Sequence, residues 1–313
     1  MRIAVFGAGG VGGFFGGRLA LAGETVAFVA RGEHLDAMRR DGLRLSGPEG
    51  EKLVRPVVAS DDPAELGPAD AVLVAVKTWQ LEEAAREMAP LLGPDTFVVP
   101  LQNGVEAAGQ LAAALGAGRV VAGLCGTVSW LNAPGRIRTI SARNFVRFGE
   151  LDGGASERCA RLLAAFERAG IETEVRGDIE AALWEKLLFV VPVGGVGAAT
   201  RMPIGVVREL PETRELLERA MREIFALARA RGVALREDLV ERSLGFVDSL
   251  APAATSSLQR DLAAGRRSEL EAWLGAVVRL GRESGVATPI HDVLYRVLLP
   301  LELAAQGRIA LPR

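Results

Sequence analysis

The chain has 313 residues, 49% of them hydrophobic, and a formal net charge of −2. That length exceeds what one ordinary core fills, so two domains are expected, and the near-neutral charge points away from nucleic acid or anionic lipid as a partner. Two histidines and two cysteines leave little from which to build a zinc site, a Ser–His–Asp triad or a disulfide framework.

Residues 2–7 run straight into structured sequence with no leader pattern, and no apolar run approaches the roughly 20 residues that span a bilayer. A soluble, cytoplasmic protein is therefore expected. Arg2–Phe6 reads as a short buried strand, 11–21 as a helix and 25–30 as a second strand. Between the first strand and the helix lies GAGGVG (Gly7, Ala8, Gly9, Gly10, Val11, Gly12), the G-x-G-x-x-G pattern in the strand–loop–helix–strand setting that a dinucleotide fingerprint requires. Gly7 permits the tight turn, Gly9 lets the backbone approach a pyrophosphate at the helix N-terminus, and Gly12 lets helix and strand pack closely.

The second strand leads into Arg31, where an NAD enzyme would carry Asp or Glu. A guanidinium suits a 2′-phosphate, which favours NADP(H); the competing reading is a surface arginine. His34 reads as an exposed loop or helix-start residue. Residues 43–60 look like an inserted strand pair. Strands at 71–76, 96–101 and 119–124 alternate with helices at 80–91 and 106–115, and such alternation predicts a Rossmann-type, doubly wound parallel sheet. Antiparallel edge strands are expected at 137–140 and 145–148, then a helix at 156–169 and a strand at Glu172–Val175. Ligands of such sheets bind beyond the carboxyl ends of the strands. Lys77 and Asn103 stand there, Lys77 to reach a cofactor's ribose or phosphates and Asn103 to hold nicotinamide ribose and substrate or, more plainly, as a surface lysine and an Asn-Gly turn.

Past residues 176–177 the strand signal fades, giving domains at 1–176 and 177–313, the second all-helical. Helices are expected at 178–191, 212–231, 236–250, 254–264, 268–285 and 290–306. The segment 181–192 is apolar around most of its circumference, and Pro192 should kink or end it. Within it stands Lys186, one of only three lysines among the 37 Lys and Arg residues. Desolvation lowers a lysine pKa and makes it a better proton donor near neutrality, a step arginine can hardly perform. The alternative is a snorkelling side chain paired with Glu185 or another acid. Ser268-x-x-Glu271 reads as a capping box. Glu269 then sits in the first turn, favoured by the helix dipole or placed to orient Lys186. Ser257 is a helix-start residue or a hydroxyl for substrate.

Taken together, GAGGVG, VKTWQ, LQNGV, LWEKLL, SSLQRDL…RRSELE and GVATPIHDVLY resemble the ketopantoate reductase (2-dehydropantoate 2-reductase) family over nearly the whole chain. The resemblance implies an NADPH-dependent reductase that converts ketopantoate to (R)-pantoate in pantothenate biosynthesis. It implies Lys186 as proton donor, Glu269 as support for substrate and cofactor binding, Asn103 as a contact to both, and Ser257 as a substrate ligand. Three positions depart from the family pattern: Val190, Gly194 and Leu274 stand where asparagines are common. Losing such groups changes substrate choice more readily than chemistry. The competing expectations are a reductase of another branched 2-oxo acid, a β-hydroxyacid or polyol-phosphate dehydrogenase, and a non-catalytic NADP(H) sensor. The apolar helices would suit a homodimer face or a core, and no metal is expected.

Overall fold

The computed structural model describes residues 1–141 and 143–310. The chain forms two compact units, Met1–Ile179 and Glu180–Arg313, dividing slightly beyond Arg176. The last three residues of the expected second domain lie outside the described residues.

The first unit is α/β. β1 (Arg2–Phe6) leads into α1 (Gly10–Leu21), β2 (Thr25–Val29) and α2 (Gly32–Asp41). β3 (Leu43–Gly47) and β4 (Gly50–Val54) form a hairpin, followed by β5 (Val58–Ser60), the short helix α3 (Pro63–Leu66) and β6 (Ala69–Val74). α4 (Leu81–Glu87), β7 (Leu92–Pro100), α5 (Ala107–Leu115) and β8 (Val121–Gly126) continue the alternation. β9 (Ser129–Ala133), β10 (Arg136–Thr139), β11 (Phe145–Glu150), α6 (Glu157–Arg168) and β12 (Glu172–Val175) complete the unit.

The central sheet has the order β5-β2-β1-β6-β7, and every pairing in it is parallel. Its strands are near-continuous apolar runs, such as Ile3–Phe6 and Ala71–Val74, all buried, because both faces are covered. Four expectations for this half need correction. β10 and β11 are not antiparallel edge strands: each lies between two neighbours, one parallel and one antiparallel. The segment 43–60 holds a third strand, β5, which joins the central sheet beside β2. β9 was missed; it pairs antiparallel with β10, which pairs parallel with β3, in a second sheet of order β4-β3-β10-β9. β8 does not extend the central sheet as a full strand. The residue before it, Val120, makes a single parallel bridge to Val98 of β7, and β8 itself pairs antiparallel with β11 in a third sheet, β12-β11-β8.

Helix α1 is poor in bulk because it is packed from two sides. A Cβ on Gly16 would meet Phe28 of the central sheet at 2.6 Å, and one on Gly17 would meet Leu45 of the second sheet at 2.9 Å. Its large residues, Phe14 and Phe15, stack edge to face, and Phe15 continues edge-on to Phe166 of α6.

The second unit is helical: α7 (Ile179–Thr200, whose first residue closes the first unit), α8 (Ile204–Glu209), α9 (Pro211–Ala230), α10 (Leu239–Ser249), α11 (Ser257–Ala263), a π-helical turn at Glu271–Gly275, α12 (Ala276–Glu283) and α13 (Pro289–Ala305). Pro192 neither ends nor interrupts α7, which runs through it for 22 residues. A proline removes one ladder hydrogen bond; burial of the helix on most sides outweighs that loss. At that length α7 is apolar enough to cross a bilayer, contrary to the expectation that no segment is. Yet 67% of its most apolar window is buried within the protein, which marks a core helix.

Candidate active site

In the first unit, four adjacent strands bring their carboxyl ends together. Reading across the sheet, β2 ends at Arg31, β1 at the glycine loop, β6 at Lys77 and β7 at Asn103. The loop is tied down from both sides. The N–H groups of Gly7 and Ala8 donate to the Val29 carbonyl at 3.2 and 3.3 Å. Gly7 has a φ of +101°, open to glycine at little cost, and a Cβ there would lie 2.9 Å from the Val76 nitrogen.

The glycines of the loop divide by what surrounds them. A Cβ on Gly12 would lie 2.1 Å from the Gly7 carbonyl oxygen, and one on Gly10 would lie 2.4 Å from the Ser129 carbonyl oxygen of β9. Both are closed by the protein's own backbone. The Ala8 methyl is buried in the core and Val11 is half-buried. Around Gly9, by contrast, nothing lies within 4 Å of an added Cβ. The one open glycine adjoins the first N–H groups of α1, where an anion is favoured by the unpaired donors and the helix dipole. The shape fits a dinucleotide pyrophosphate.

Arg31 precedes α2 and its guanidinium pairs with Glu87 at 2.6 Å while remaining 54% exposed. Glu87, absent from the sequence reading, thus sets where that guanidinium points. Lys77 precedes a 3₁₀ turn at Thr78–Gln80, with its ammonium 5.8 Å from the centre of the Trp79 ring. Asn103 is half-buried in a turn whose next residue, Gly104, has a φ of +107°, so the Asn-Gly turn forms at the strand end. Gln102 Nε2 donates to the Val76 carbonyl at 3.0 Å, tying the Lys77 and Asn103 loops together.

His34 is the residue of this region that the sequence undervalued. It lies in the first turn of α2, half-buried. Its Nδ1 accepts from the Gly135 N–H at 2.9 Å, so Nε2 carries the proton and donates to the Ala8 carbonyl at 2.8 Å. Burial holds its pKa below the ordinary imidazole value, opposed by the bond to Ala8. A neutral, single-tautomer histidine therefore braces the glycine loop against the β9–β10 hairpin.

In the second unit, Lys186 lies on α7 and is half-buried, as are Phe189, Val190 and Val193. At 3.6 residues per turn these share one face, whereas Trp184, Leu187, Leu188 and Val191 on the other side are fully buried. Farther along α7 the glycines allow close packing rather than a break. A Cβ on Gly194 would meet the Trp273 ring at 2.8 Å and Ser256 Oγ at 3.4 Å, and one on Gly195 would meet Leu274 at 3.0 Å. α7, the start of α11 and the π turn thus converge, and Trp273 fills the room beside Gly194. Within α11 the serine pair divides its tasks. Ser256 Oγ accepts from the Gln259 N–H at 3.0 Å and caps the helix. Ser257 is half-buried in the first turn with its hydroxyl left for other partners.

Glu269, 9% exposed, stands just before the π turn. The expected Ser268–Glu271 capping box does not form. The Ser268 N–H and hydroxyl both donate to Glu302 at 2.8 and 2.5 Å, and Glu271 accepts from Tyr295 at 2.7 Å. Carboxylates and hydroxyls from α13 reach these groups first. Cys125 and Cys159 are both buried, and neither forms a disulfide. Among the described residues no group of His, Cys, Asp and Glu could hold a metal ion.

A parallel sheet with a glycine-loop cradle, followed by a helical unit carrying a half-buried lysine and a buried glutamate, defines a Rossmann-type oxidoreductase. Comparison with known proteins gives the family. The family models described as ketopantoate reductase PanE/ApbA and its C-terminal counterpart match residues 3–153 and 178–302. A 2-dehydropantoate 2-reductase of Mesorhizobium japonicum is 34% identical over 95% of this chain and 97% of its own length. One of Halobacterium salinarum is 35% identical over 94% and 96%. The crystal structure of a PanE/ApbA family ketopantoate reductase from Ralstonia eutropha JMP134 superposes with a TM-score of 0.90, at 33% identity, covering 98% of this chain and 100% of that one. The chain belongs to the ketopantoate reductase family.

Proposed function

We propose that this protein reduces a 2-oxo acid to the 2-hydroxy acid with NADPH, ketopantoate to (R)-pantoate being the reaction favoured by family, as a cytoplasmic step of pantothenate biosynthesis. The observation that carries the reading is Lys186: one of only three lysines in an arginine-rich chain, half-buried on a long apolar helix. NADPH, when bound, supplies a hydride. Gly9 and the first N–H groups of α1 suit its pyrophosphate, Arg31 its 2′-phosphate, and Lys77 and Asn103 its ribose and the substrate. Lys186 hydrogen-bonds the keto oxygen, stabilises the negative charge developing there and gives up a proton to it. Ser257 orients the substrate, and Glu269 supports substrate and cofactor binding.

A second reading of the substrate is favoured by one observation. Val190 and Gly194 lie four and eight residues beyond Lys186, on its side of α7, and Trp273 packs against Gly194. Side-chain amides are absent from both places, which suits a branched 2-oxo acid with less to hydrogen-bond than ketopantoate. The proposal extends to a homodimer through the helical unit, where Phe246, Val293 and Val297 are each more than half exposed; sedimentation reads that directly.

The test follows NADPH absorbance with a panel of 2-oxo acids that includes ketopantoate. Lys186→Ala and Lys186→Arg should each lower kcat by roughly 100- to 10,000-fold, with NADPH binding retained. Wild-type turnover in either variant would refute the assignment of Lys186. Turnover of another acid but not ketopantoate would keep the chemistry and change the substrate.

A further inference from the structure

We propose that α13 is the positioning element for Glu269, acting through Glu302 and Tyr295; the inference rests on the role given to Glu269 above. Glu269 lies between two residues that this helix grips. On one side is Ser268, 3% exposed, whose N–H and hydroxyl both donate to Glu302 Oε2 at 2.8 and 2.5 Å. On the other is Glu271, whose Oε2 accepts from the Tyr295 hydroxyl at 2.7 Å. Tyr295 and Glu302 are two helical turns apart and so share a face of α13.

The arrangement is dearer than folding alone requires. Glu302 is 3% exposed, and a buried carboxylate is tolerable only when hydrogen-bonded. Here its second oxygen accepts from Gln306 Nε2 at 2.6 Å. The local sequence already offers Ser268 a nearby partner in Glu271, and an apolar residue at 302 would avoid desolvating a carboxylate. A fully satisfied buried network instead holds one backbone geometry against alternatives. That geometry is unusual: two residues past Glu269 the chain enters a π-helical turn, Glu271–Gly275. Such turns are rare, occur often at functional sites, and leave the direction of the preceding side chain to tertiary contacts.

The test is a double-mutant cycle on the full-length enzyme with NADPH and its best 2-oxo acid: Glu302→Gln, Glu269→Gln and the pair. A misplacement of about 1 Å can cost roughly 100-fold, so Glu302→Gln should lower kcat/KM by between about 10- and 100-fold. In the Glu269→Gln background the same change should have little further effect. A merely structural Glu302 would lower the melting temperature and leave KM unchanged, with an equal loss in both backgrounds; that result overturns the proposal. Tyr295→Phe, which removes only the Glu271 contact, supplies the same cycle should Glu302→Gln fold poorly. Wild-type kinetics in Glu302→Gln beside an impaired Glu269→Gln overturn the positioning role alone. Wild-type kinetics in Glu269→Gln overturn the role of Glu269 itself, and this inference with it.

Discussion

Substituting alanine at two glycines three residues apart in the same loop, Gly9 and Gly12, separates space kept for a ligand from space filled by the fold. Gly9 has φ −68° and ψ −159°, a conformation alanine adopts freely, and nothing within 4 Å obstructs its Cβ. Gly9→Ala should therefore leave the melting temperature unchanged or raise stability by about 0.4–1 kcal/mol, by restricting the unfolded chain. The same methyl intrudes where a pyrophosphate would meet the backbone. Each charge-assisted hydrogen bond lost costs about 1.5–3 kcal/mol, or roughly 10- to 150-fold in affinity. At Gly12 the outcome inverts. A Cβ 2.1 Å from the Gly7 carbonyl oxygen, 2.9 Å from Val5 and 3.0 Å from Ala75 forces the backbone to move, costing about 1–3 kcal/mol or more. Thermal melts paired with NADPH titration by protein fluorescence read both variants. Unchanged NADPH affinity in Gly9→Ala, with the fold intact, would refute the cradle; an unshifted melt in Gly12→Ala would refute the packing.

Three further outcomes follow from side chains around the site. Arg31→Ala should lower NADPH affinity while sparing NADH, and Glu87→Gln, by releasing the guanidinium, should raise it; comparing the two cofactors in each variant decides this. For His34, burial holds the folded-state pKa below the ordinary 6.5, so its contribution to stability is complete above that value and is lost as pH falls through the folded-state pKa. Glutamine offers a donor and an acceptor but does not titrate. Urea midpoints of wild type and His34→Gln should therefore diverge between pH 8 and pH 5, wild type losing more; parallel curves would count against the bridge. Glu223 accepts from the N–H groups of Ile290 and His291 and from the ring of His291, which is 0% exposed. Glu223→Ala strands those donors, at a cost of about 3 kcal/mol or more and roughly 6–12 °C in the melting temperature.

Where the fold was legible, the signal was local and repetitive. Unbroken apolar runs such as Ile3–Phe6 and Ala71–Val74 announced buried parallel strands, and the glycine loop between strand and helix located the cradle. The errors have identifiable causes. β9, with its exposed Trp130 and Leu131, lacks the apolar alternation that marks a strand and exists because β10 pairs with it. Pro192 promised a break, but the breaking tendency of one proline is small beside the burial of α7. Ser268 and Glu271 had capping-box spacing, yet α13 brought Glu302 and Tyr295 to both.

By itself, then, the order of residues determined the chemistry on offer: a glycine-rich loop between strand and helix, a rare lysine on an apolar helix, a carboxylate in SELE. Those depend on residue type and on neighbours a few positions away. Tertiary structure alone decided which groups are held and by what: His34 between Ala8 and Gly135, Arg31 on Glu87, Trp273 against Gly194, Ser268 on Glu302. The partners in each pair are separated by dozens of residues, and a hydrogen bond or a packed ring depends on distance in space, which no local periodicity encodes.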